Sequence, residues 1–306
     1  MRKRVLETWQ GLLAEERIRE SLNAKEKPMI VGLPESAKAL TAADLYMNGG
    51  SSLLILVAGQ ENVKPWVQNL SALLPQEKVL AFPSLALLPF DVAAHNAELV
   101  TARLEVLSAL AKGEKILAVA PVEAICRRLA PKQIFQKAHF SLRFGAEIQI
   151  SELSAKLSNM GYLREKMVDV SGTFAARGEI VDIFPVGGKR PLRIEFFDTE
   201  IENIRYFNPA TQCSEEPYNG DLSLIPVREI PLDDEAVNRA LISLQKEFQD
   251  TLKKLEPNAR RNLRGKINPY LEYMEEKIWQ DGMDHFLYHF YPNAVSLLDY
   301  LPNDAY

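Results

Sequence analysis

Short apolar runs alternate with stretches of helical period over the first third of the chain. The apolar runs are bounded by Gly or Pro, which is typical of buried strands. The predicted strands are Met29–Gly32, Ser52–Gly59, Lys78–Phe82 and Lys115–Pro121, and the helices between them end near Met47, Leu74 and Lys112. Strands that alternate with helices form a parallel sheet covered on both faces. The pattern therefore predicts an α/β domain over residues 1–130, which begins with an amphipathic helix over the first twenty residues.

The period changes from about 3.6 towards two after residue 140. One helix is predicted over Ile150–Met160, and three strand-like segments follow it, GTFAARGEIVDIFP, KRPLRIEFF and TEIENIRYF. The second segment has the alternation of a strand with one buried face, in which Leu192, Ile194 and Phe196 alternate with Arg193, Glu195 and Phe197. The polar pair Asp198-Thr199 suits a hairpin turn. We expect a compact α+β domain of antiparallel strands over residues 131–214.

The remaining segment, residues 215–306, is predicted to be mainly helical. A charged helical stretch covers Asp233–Leu255, and a second one follows it. The pattern at the end of the sequence is one after which another strand would follow. We therefore expect the chain to be part of a longer protein.

Composition narrows the class of protein. Of the 306 residues, 47% are apolar, which is enough for a core in each of two domains. The longest apolar run, Leu53–Ala58, is far shorter than the roughly 20 residues of a membrane span, so we expect no membrane contact and a cytoplasmic location. Cys126 and Cys213 are far apart and lack a C-x-x-C partner, which argues against a disulfide scaffold or a zinc cluster.

The first predicted strand-to-helix turn has the frame of a phosphate-binding loop, G-x-x-x-x-G-K-[ST]. Gly32 and Lys38 occupy their places, but Ala37 replaces the second Gly and Ala39 replaces the hydroxyl residue that would hold Mg²⁺. Glu35 adds a negative charge inside the loop. Two interpretations stay open, an ordinary turn with a surface lysine and a vestigial nucleotide site.

No catalytic or metal-binding constellation is found in the sequence. His285 and His289 have the spacing of two zinc ligands on one helix, but the sequence HFLYH lacks both the general-base Glu and a third ligand. No nucleophile elbow is present. We therefore predict no catalytic residue, no metal and no cofactor for this chain.

The net charge of −5 does not favour nucleic acid, but one stretch is basic. Between Lys253 and Lys266 there are six basic residues and one acidic residue, Glu256. Arg260, Arg261 and Arg264 are candidate contacts to DNA phosphates. The alternative is a solvated surface, since no aromatic residue lies within the stretch for base stacking.

The most informative segment is Gly172–Pro185. Gly172 and Gly178 permit a tight turn that presents Arg177, and a rigid, exposed arginine is a good anchor for a partner's carboxylate. The alternative is that Arg177 pairs with Asp182 or Glu195 of its own domain.

This segment carries a family resemblance. The run G-x-F-x-x-R-G-x-I-V-D-I-F-P, followed by LRIEFFDTEIENIRYFNPATQ, resembles a domain shared by the excision-repair helicase UvrB and bacterial transcription-repair coupling factors. Upstream, FPSLALLPFDVAAHNAELVTARLEVLSAL is similar to the coupling factors specifically. The resemblance implies an α/β fold with a RecA-like parallel-sheet domain, a vestigial phosphate loop, an inserted α+β domain that binds UvrA, and a returning segment.

Two departures distinguish the family members. UvrB has an intact phosphate loop, whereas Ala37 and Ala39 interrupt the loop here. UvrB also has a long DNA-clamping β-hairpin, for which the eight residues between Phe90 and Leu99 leave no room. The resemblance therefore favours the N-terminal module of a coupling factor, which recruits UvrA to stalled transcription complexes. ATP, Mg²⁺, RNA polymerase and double-stranded DNA would then be bound by other domains of the longer protein, and a UvrB-type helicase fragment is the alternative.

The resemblance also implies the residues that contact UvrA. The basic positions of the family fall on Arg164 and Arg177, and Phe184 is a candidate apolar contact. A third basic position of UvrB is Ala175 here, so we expect a weaker or differently distributed contact.

Overall fold

The computed structural model describes residues 17–18, 20–22, 24, 26–85, 97–231, 233–280 and 282–306. Most of the predicted N-terminal helix and the segment between Phe90 and Asn96 lie outside these residues. The chain divides into two compact units. The first comprises residues 1–86, 105–127 and 296–306, and the second comprises 87–104 and 128–295.

The first unit contains a three-stranded parallel sheet in the order β1-β3-β2. The strands are β1 (Leu53–Val57), β2 (Val79–Ala81) and β3 (Leu117–Pro121), and every residue of the central strand β3 is buried. Burial on both faces explains why this strand is an unbroken apolar run. The helices are α1 (Glu35–Gly49), α2 (Val63–Leu73), α3 (Ala97–Lys112), within which the boundary between the units falls, and α4 (Val122–Cys126). The parallel sheet with flanking helices is as predicted.

The predicted strand Met29–Gly32 is wrong. Residues 26–34 form no strand, and the side chains of Met29 and Val31 are exposed. A strand needs a hydrogen-bonded neighbour, and among the described strands none pairs with this segment. The apolar composition of the segment indicated a propensity for strand structure, but composition does not show whether a neighbouring strand is present to pair with it.

The second unit contains a six-stranded sheet in the order β10-β9-β8-β7-β6-β5, antiparallel except for the pair β5 and β6. Its strands are β5 (Leu163–Arg164), β6 (Thr173–Arg177), β7 (Ile180–Phe184), β8 (Leu192–Phe197), β9 (Glu200–Phe207) and β10 (Ser214–Pro217). The predicted run of antiparallel strands is confirmed, including the turn at Asp198-Thr199 between β8 and β9.

One helix covers the apolar face of this sheet. Helix α6 (Ile150–Asn159) inserts Leu153 and Leu157 into the core that the sheet's apolar face forms. A short two-stranded sheet joins β4 (Phe140–Leu142) to β11 (Leu222–Leu224) and contributes to the same core. The strand β11 lies after residue 214, and the predicted division of the chain at residues 130 and 214 stays a prediction.

The rest of the second unit is helical. Its helices are α5 (Lys132–Lys137), α7 (Asp234–Lys254), α8 (Pro257–Glu275) and α9 (Leu287–Phe290). The Asp233 side chain accepts a hydrogen bond from Ala236 N at 2.7 Å and caps α7, which begins where the sequence predicts. Residues of α7, α8 and α9 share one apolar core.

The chain is therefore a mixed α/β protein with a parallel and an antiparallel sheet, as predicted.

Candidate protein-interaction site

The six-stranded sheet has two chemically different faces. Because side chains alternate along a strand, the residues opposite one another share a face. Phe174, Val181 and Ile194 lie on the face that packs on helix α6, which we call the inner face. Arg177, Asp182 and Arg193 lie on the other, the outer face, as the pairing register shows. The outer face thus carries the charged residues of the sheet's centre.

A tight turn positions Arg177 on this outer face. Arg177 is paired with Ile180, so the turn between β6 and β7 has only two residues, Gly178 and Glu179. Gly178 has φ of +58°, which an L-residue with a side chain adopts only at a cost. The Arg177 side chain is 53% exposed. The tight turn and the exposed arginine were both predicted.

Asp182 is the most buried polar group of the outer face. Its side chain has no exposed surface, and both of its oxygens accept hydrogen bonds from Arg193, from Nε at 2.7 Å and from Nη2 at 3.0 Å. Its Oδ2 also accepts a hydrogen bond from Nη2 of Arg177 at 2.9 Å. Arg177 therefore forms the ion pair with Asp182 that was one of its two predicted alternatives.

Arg193 is held more tightly than Arg177. Its Nη1 donates to Gln212 O and to Ser214 Oγ, and its guanidinium lies over the Phe207 ring, 5.0 Å from the centroid. The hydrogen bonds to Asp182 raise the pKa of this guanidinium above its ordinary value. Arg193 is a structural cation, and the alternating pattern in RPLRIEFF was sufficient to place it on the outer face.

Phe184 lies on the same face at the other end of the β6–β7 hairpin. It is partly buried and packs against Val168, Ala175 and Phe207. Ala175 is 2% exposed and lies directly opposite Asp182. The position where UvrB has its third basic residue therefore belongs to a small apolar cluster here.

Arg164 is separated from the other two predicted contact residues. It lies on the edge strand β5 opposite Phe174, three residues from Arg177 along β6. Alternation along β6 places Phe174 and Arg177 on opposite faces, so Arg164 belongs to the inner-face side of the sheet edge. Its side chain is exposed, and within the described ranges it makes no ion pair. The structure thus places Arg177 and Phe184 on the outer face of the sheet and Arg164 on the edge strand β5, on the side of the inner face.

A buried tyrosine fixes the segment that leads to Arg164. The Tyr162 hydroxyl donates to Ile225 O at 3.2 Å and accepts from Val186 N at 3.3 Å, so it joins the start of β5 to the segments after β7 and β11. Burial raises the pKa of this hydroxyl well above its ordinary value, which keeps it a neutral donor.

The residues of the phosphate-loop frame lie at the start of α1, in the first unit. Gly32 has φ of +80° and is exposed, and α1 begins at Glu35 after Pro34. The ammonium group of Lys38 pairs with the Glu35 carboxylate one turn earlier. Ala37 and Ala39 are both buried.

The three basic candidates for DNA contact lie on the first turns of α8. Arg260, Arg261 and Arg264 are exposed, and Arg260 Nε donates to Leu255 O at 2.6 Å. Lys253 and Lys254 end the preceding helix α7 and are also exposed. The predicted basic stretch is therefore the tip of a helical hairpin.

Two further observations concern the described residues only. No group of three or more metal-ligating side chains occurs among them. None of the helices that the structure describes is both long enough and apolar enough to span a bilayer.

The six-stranded sheet lies in a region that matches a known family model. Residues 140–229 match the family model of the UvrB interaction domain, and this range contains the whole six-stranded sheet with Arg164, Arg177 and Phe184. This part of the chain is similar to the UvrB interaction domain.

Similarity to longer proteins extends over most of the chain. The chain is 30% identical over 281 residues to the transcription-repair-coupling factor of Bacillus subtilis (strain 168), and the aligned region covers 92% of this chain and 24% of that protein. The chain is also 27% identical over 277 residues to the transcription-repair-coupling factor of Staphylococcus aureus (strain MRSA252), and the aligned region covers 90% of this chain and 24% of that protein. The chain spans about a quarter of the length of these relatives. The predicted resemblance to the N-terminal module of coupling factors is confirmed.

We predict that Tyr162→Phe lowers the free energy of unfolding by about 1–3 kcal/mol. The substitution removes the donor to Ile225 O and leaves Val186 N without its acceptor inside the protein. Chemical denaturation followed by circular dichroism measures the change. Tyr288→Phe is the matched control, because Tyr288 is exposed, and we expect it to change stability by less than about 0.5 kcal/mol. Equal effects of the two substitutions would contradict the assignment.

Proposed function

We propose that this chain is the UvrA-recruiting region of a transcription-repair coupling factor and that it brings UvrA to stalled transcription complexes in the cytoplasm. The observation that carries the proposal is the UvrB interaction domain over residues 140–229, with a half-exposed arginine on a rigid strand of its outer face. Similarity to coupling factors over nine tenths of the chain supports the same function.

Arg177 is the central contact in this proposal. A guanidinium binds a carboxylate through two parallel hydrogen bonds, and a strand holds it with little loss of side-chain entropy on binding. Phe184, on the same face, adds apolar contact, and Arg164 would reach UvrA around the edge of the sheet. The methyl side chain of Ala175 is uncharged and buried, so this position contributes neither charge nor exposed surface to the contact.

We further propose that the first unit is a RecA-like domain with a vestigial phosphate loop and that the chain binds and hydrolyses no nucleotide. Ala39 offers no oxygen to Mg²⁺, and Ala37 carries a Cβ where a phosphate-wrapping backbone needs none. The pairing of Lys38 with Glu35 supports this, because the lysine charge is compensated within the loop. ATP, Mg²⁺, RNA polymerase and double-stranded DNA are bound by other regions of the longer protein. A UvrB-type helicase fragment, the alternative, would need a working loop.

Binding to UvrA tests the main proposal. We expect Arg177→Ala to raise the dissociation rate from immobilised UvrA, because a UvrA carboxylate buried in the interface would lose its partner at a cost of about 2–5 kcal/mol. Arg164→Ala should have a smaller effect, since Arg164 lies at the exposed edge. Surface plasmon resonance measures both rates.

Two controls accompany this prediction. Lys38→Ala lies outside the UvrB interaction domain and should leave UvrA binding unchanged. Circular dichroism establishes that each variant is folded. Unchanged UvrA binding by a folded Arg164→Glu, Arg177→Glu double variant would refute the proposed contact.

We predict that the purified chain shows no ATP hydrolysis above background, with or without DNA. A coupled-enzyme assay with Mg²⁺ measures turnover, and Lys38→Ala is the control for contamination. Turnover that disappears in Lys38→Ala would contradict the vestigial-loop proposal and favour the helicase alternative.

A second candidate function, weak DNA binding, rests on the exposed arginines at the tip of the α7–α8 hairpin. We predict an affinity for duplex DNA no better than about 1 µM at physiological salt, with a slope of log K against log salt of about −2 to −3, because about three phosphates would be neutralised. Fluorescence anisotropy measures both quantities. Submicromolar binding that is lost in Arg260→Glu, Arg261→Glu, Arg264→Glu would give the hairpin tip a larger role.

A further inference from the structure

The outer face of the sheet contains one carboxylate shared by two guanidiniums. Asp182 is directly opposite Arg193 on β8 and diagonal to Arg177 on β6. All three hydrogen bonds described for its side chain come from these two arginines. These three side chains, which we call the Asp182 cluster, carry a net charge of +1; Glu195 lies on the same face and acts on Arg193 without a described ion pair to either arginine.

The structure also indicates where that excess charge lies. Arg193 is only 14% exposed, and its Nε, Nη1 and Nη2 groups all donate to acceptors of its own domain. Arg177 is 53% exposed and donates through Nη2 alone. Arg193 therefore compensates Asp182 inside the protein, and the excess positive charge of the cluster lies at the surface, on Arg177.

One hydrogen bond from Nη2 leaves Arg177 able to bind a carboxylate in the bidentate manner. A guanidinium has two edges with two donors each, and the two Nη2 hydrogens belong to different edges. The bond to Asp182 uses one of these hydrogens and leaves the other edge complete. Among the residues that the structure describes, no acceptor occupies that edge.

We propose that Asp182 is a positioning residue for the UvrA contact: it fixes Arg177 by one hydrogen bond, while Arg193 prevents it from neutralising Arg177. The bound partner group is an Asp or Glu carboxylate that meets the free edge of Arg177. This inference rests on the proposed function. It also explains why an intramolecular ion pair at Arg177 does not compete with binding, since a carboxylate paired to Arg177 alone would form a neutral pair.

The first test is a double-mutant cycle on UvrA binding with the whole chain. We expect Asp182→Asn to raise the dissociation rate about tenfold without slowing association, because a neutral amide holds Arg177 more weakly than the carboxylate does while the positive charge of the face increases. In an Arg177→Ala background the same substitution should change the affinity less than twofold. Glu202→Gln, on an exposed position of β9, is the control for loss of one negative charge.

A second variant tests the role of Arg193. In Arg193→Gln, Asp182 keeps only Arg177 as its cation, so we expect weaker UvrA binding and a lower salt dependence of the association rate. In the Arg177→Ala background this variant too should have no further effect on affinity. A loss of affinity that is equally large with and without Arg177 would mean that Asp182 and Arg193 act only on the fold, and it would overturn the proposal.

The second test does not depend on UvrA. Nuclear magnetic resonance of ¹⁵N-labelled arginine side chains measures the order of each Nε–H group, and Arg177→Ala assigns the Arg177 signal. We expect Arg177 to be more ordered than the exposed Arg164 in the wild-type chain and to lose that order in Asp182→Asn. Equal order of the Arg177 and Arg164 side chains in the wild-type chain would overturn the positioning role even if Asp182→Asn failed to fold.

The two tests separate the two proposals. If the wild-type chain does not bind UvrA, the proposed function fails, and the order of Arg177 then decides the positioning role by itself. If UvrA binds and Asp182→Asn binds as well as the wild type, the proposed function stands and the positioning role fails.

Discussion

The burial of one face of the six-stranded sheet is the constraint on which the proposed site depends. Helix α6 and the inner face share one apolar core, so the register of every strand is fixed by the need to bury Phe174, Val181 and Ile194 together. A shift of one residue would turn these side chains to solvent. The same register brings Asp182 level with Arg193, because side chains that do not face the core must face outward. The charge cluster is therefore a consequence of apolar packing.

The strands and helices of the second unit were largely predictable because their signals are local. Alternation of apolar and polar residues predicted β8, and two glycines in a strand-like run predicted the turn at Gly178. Met29–Val31 has comparable apolar composition, yet its predicted strand does not form. The difference is that a hairpin strand has its neighbour adjacent in sequence, whereas a parallel strand depends on a distant partner that composition does not identify.

The site itself was predictable only in part, and for the same reason. The family pattern supplied Arg164 and Arg177 as contact residues, but two residues in one motif need not share a face. Arg164 lies opposite Phe174, and because side chains alternate along β6, Phe174 and Arg177 lie on opposite faces of the sheet. Likewise, the sequence allowed Arg177 to pair with Asp182 but treated that pair as an alternative to partner binding. The cross-strand position of Arg193, which reconciles the two, depends on a register that no local signal determines.

A contact built in this way has physical advantages over a long flexible side chain on a loop. Desolvating a lone surface arginine is costly, and an interface gains from it only when the geometry is already correct. Here the guanidinium is attached to a strand, is restrained at one Nη2 group, and shares its carboxylate partner with Arg193. Fixing the cation before encounter concentrates the specificity in a single bidentate geometry, which a lysine at the same position could not provide. Conversely, the arginines on the first turns of α8 have little comparable restraint: Arg261 and Arg264 are exposed, and the side-chain bond described for Arg260 goes to Leu255 O. Long-range attraction that is screened by salt, with little selectivity, is what such a surface can supply.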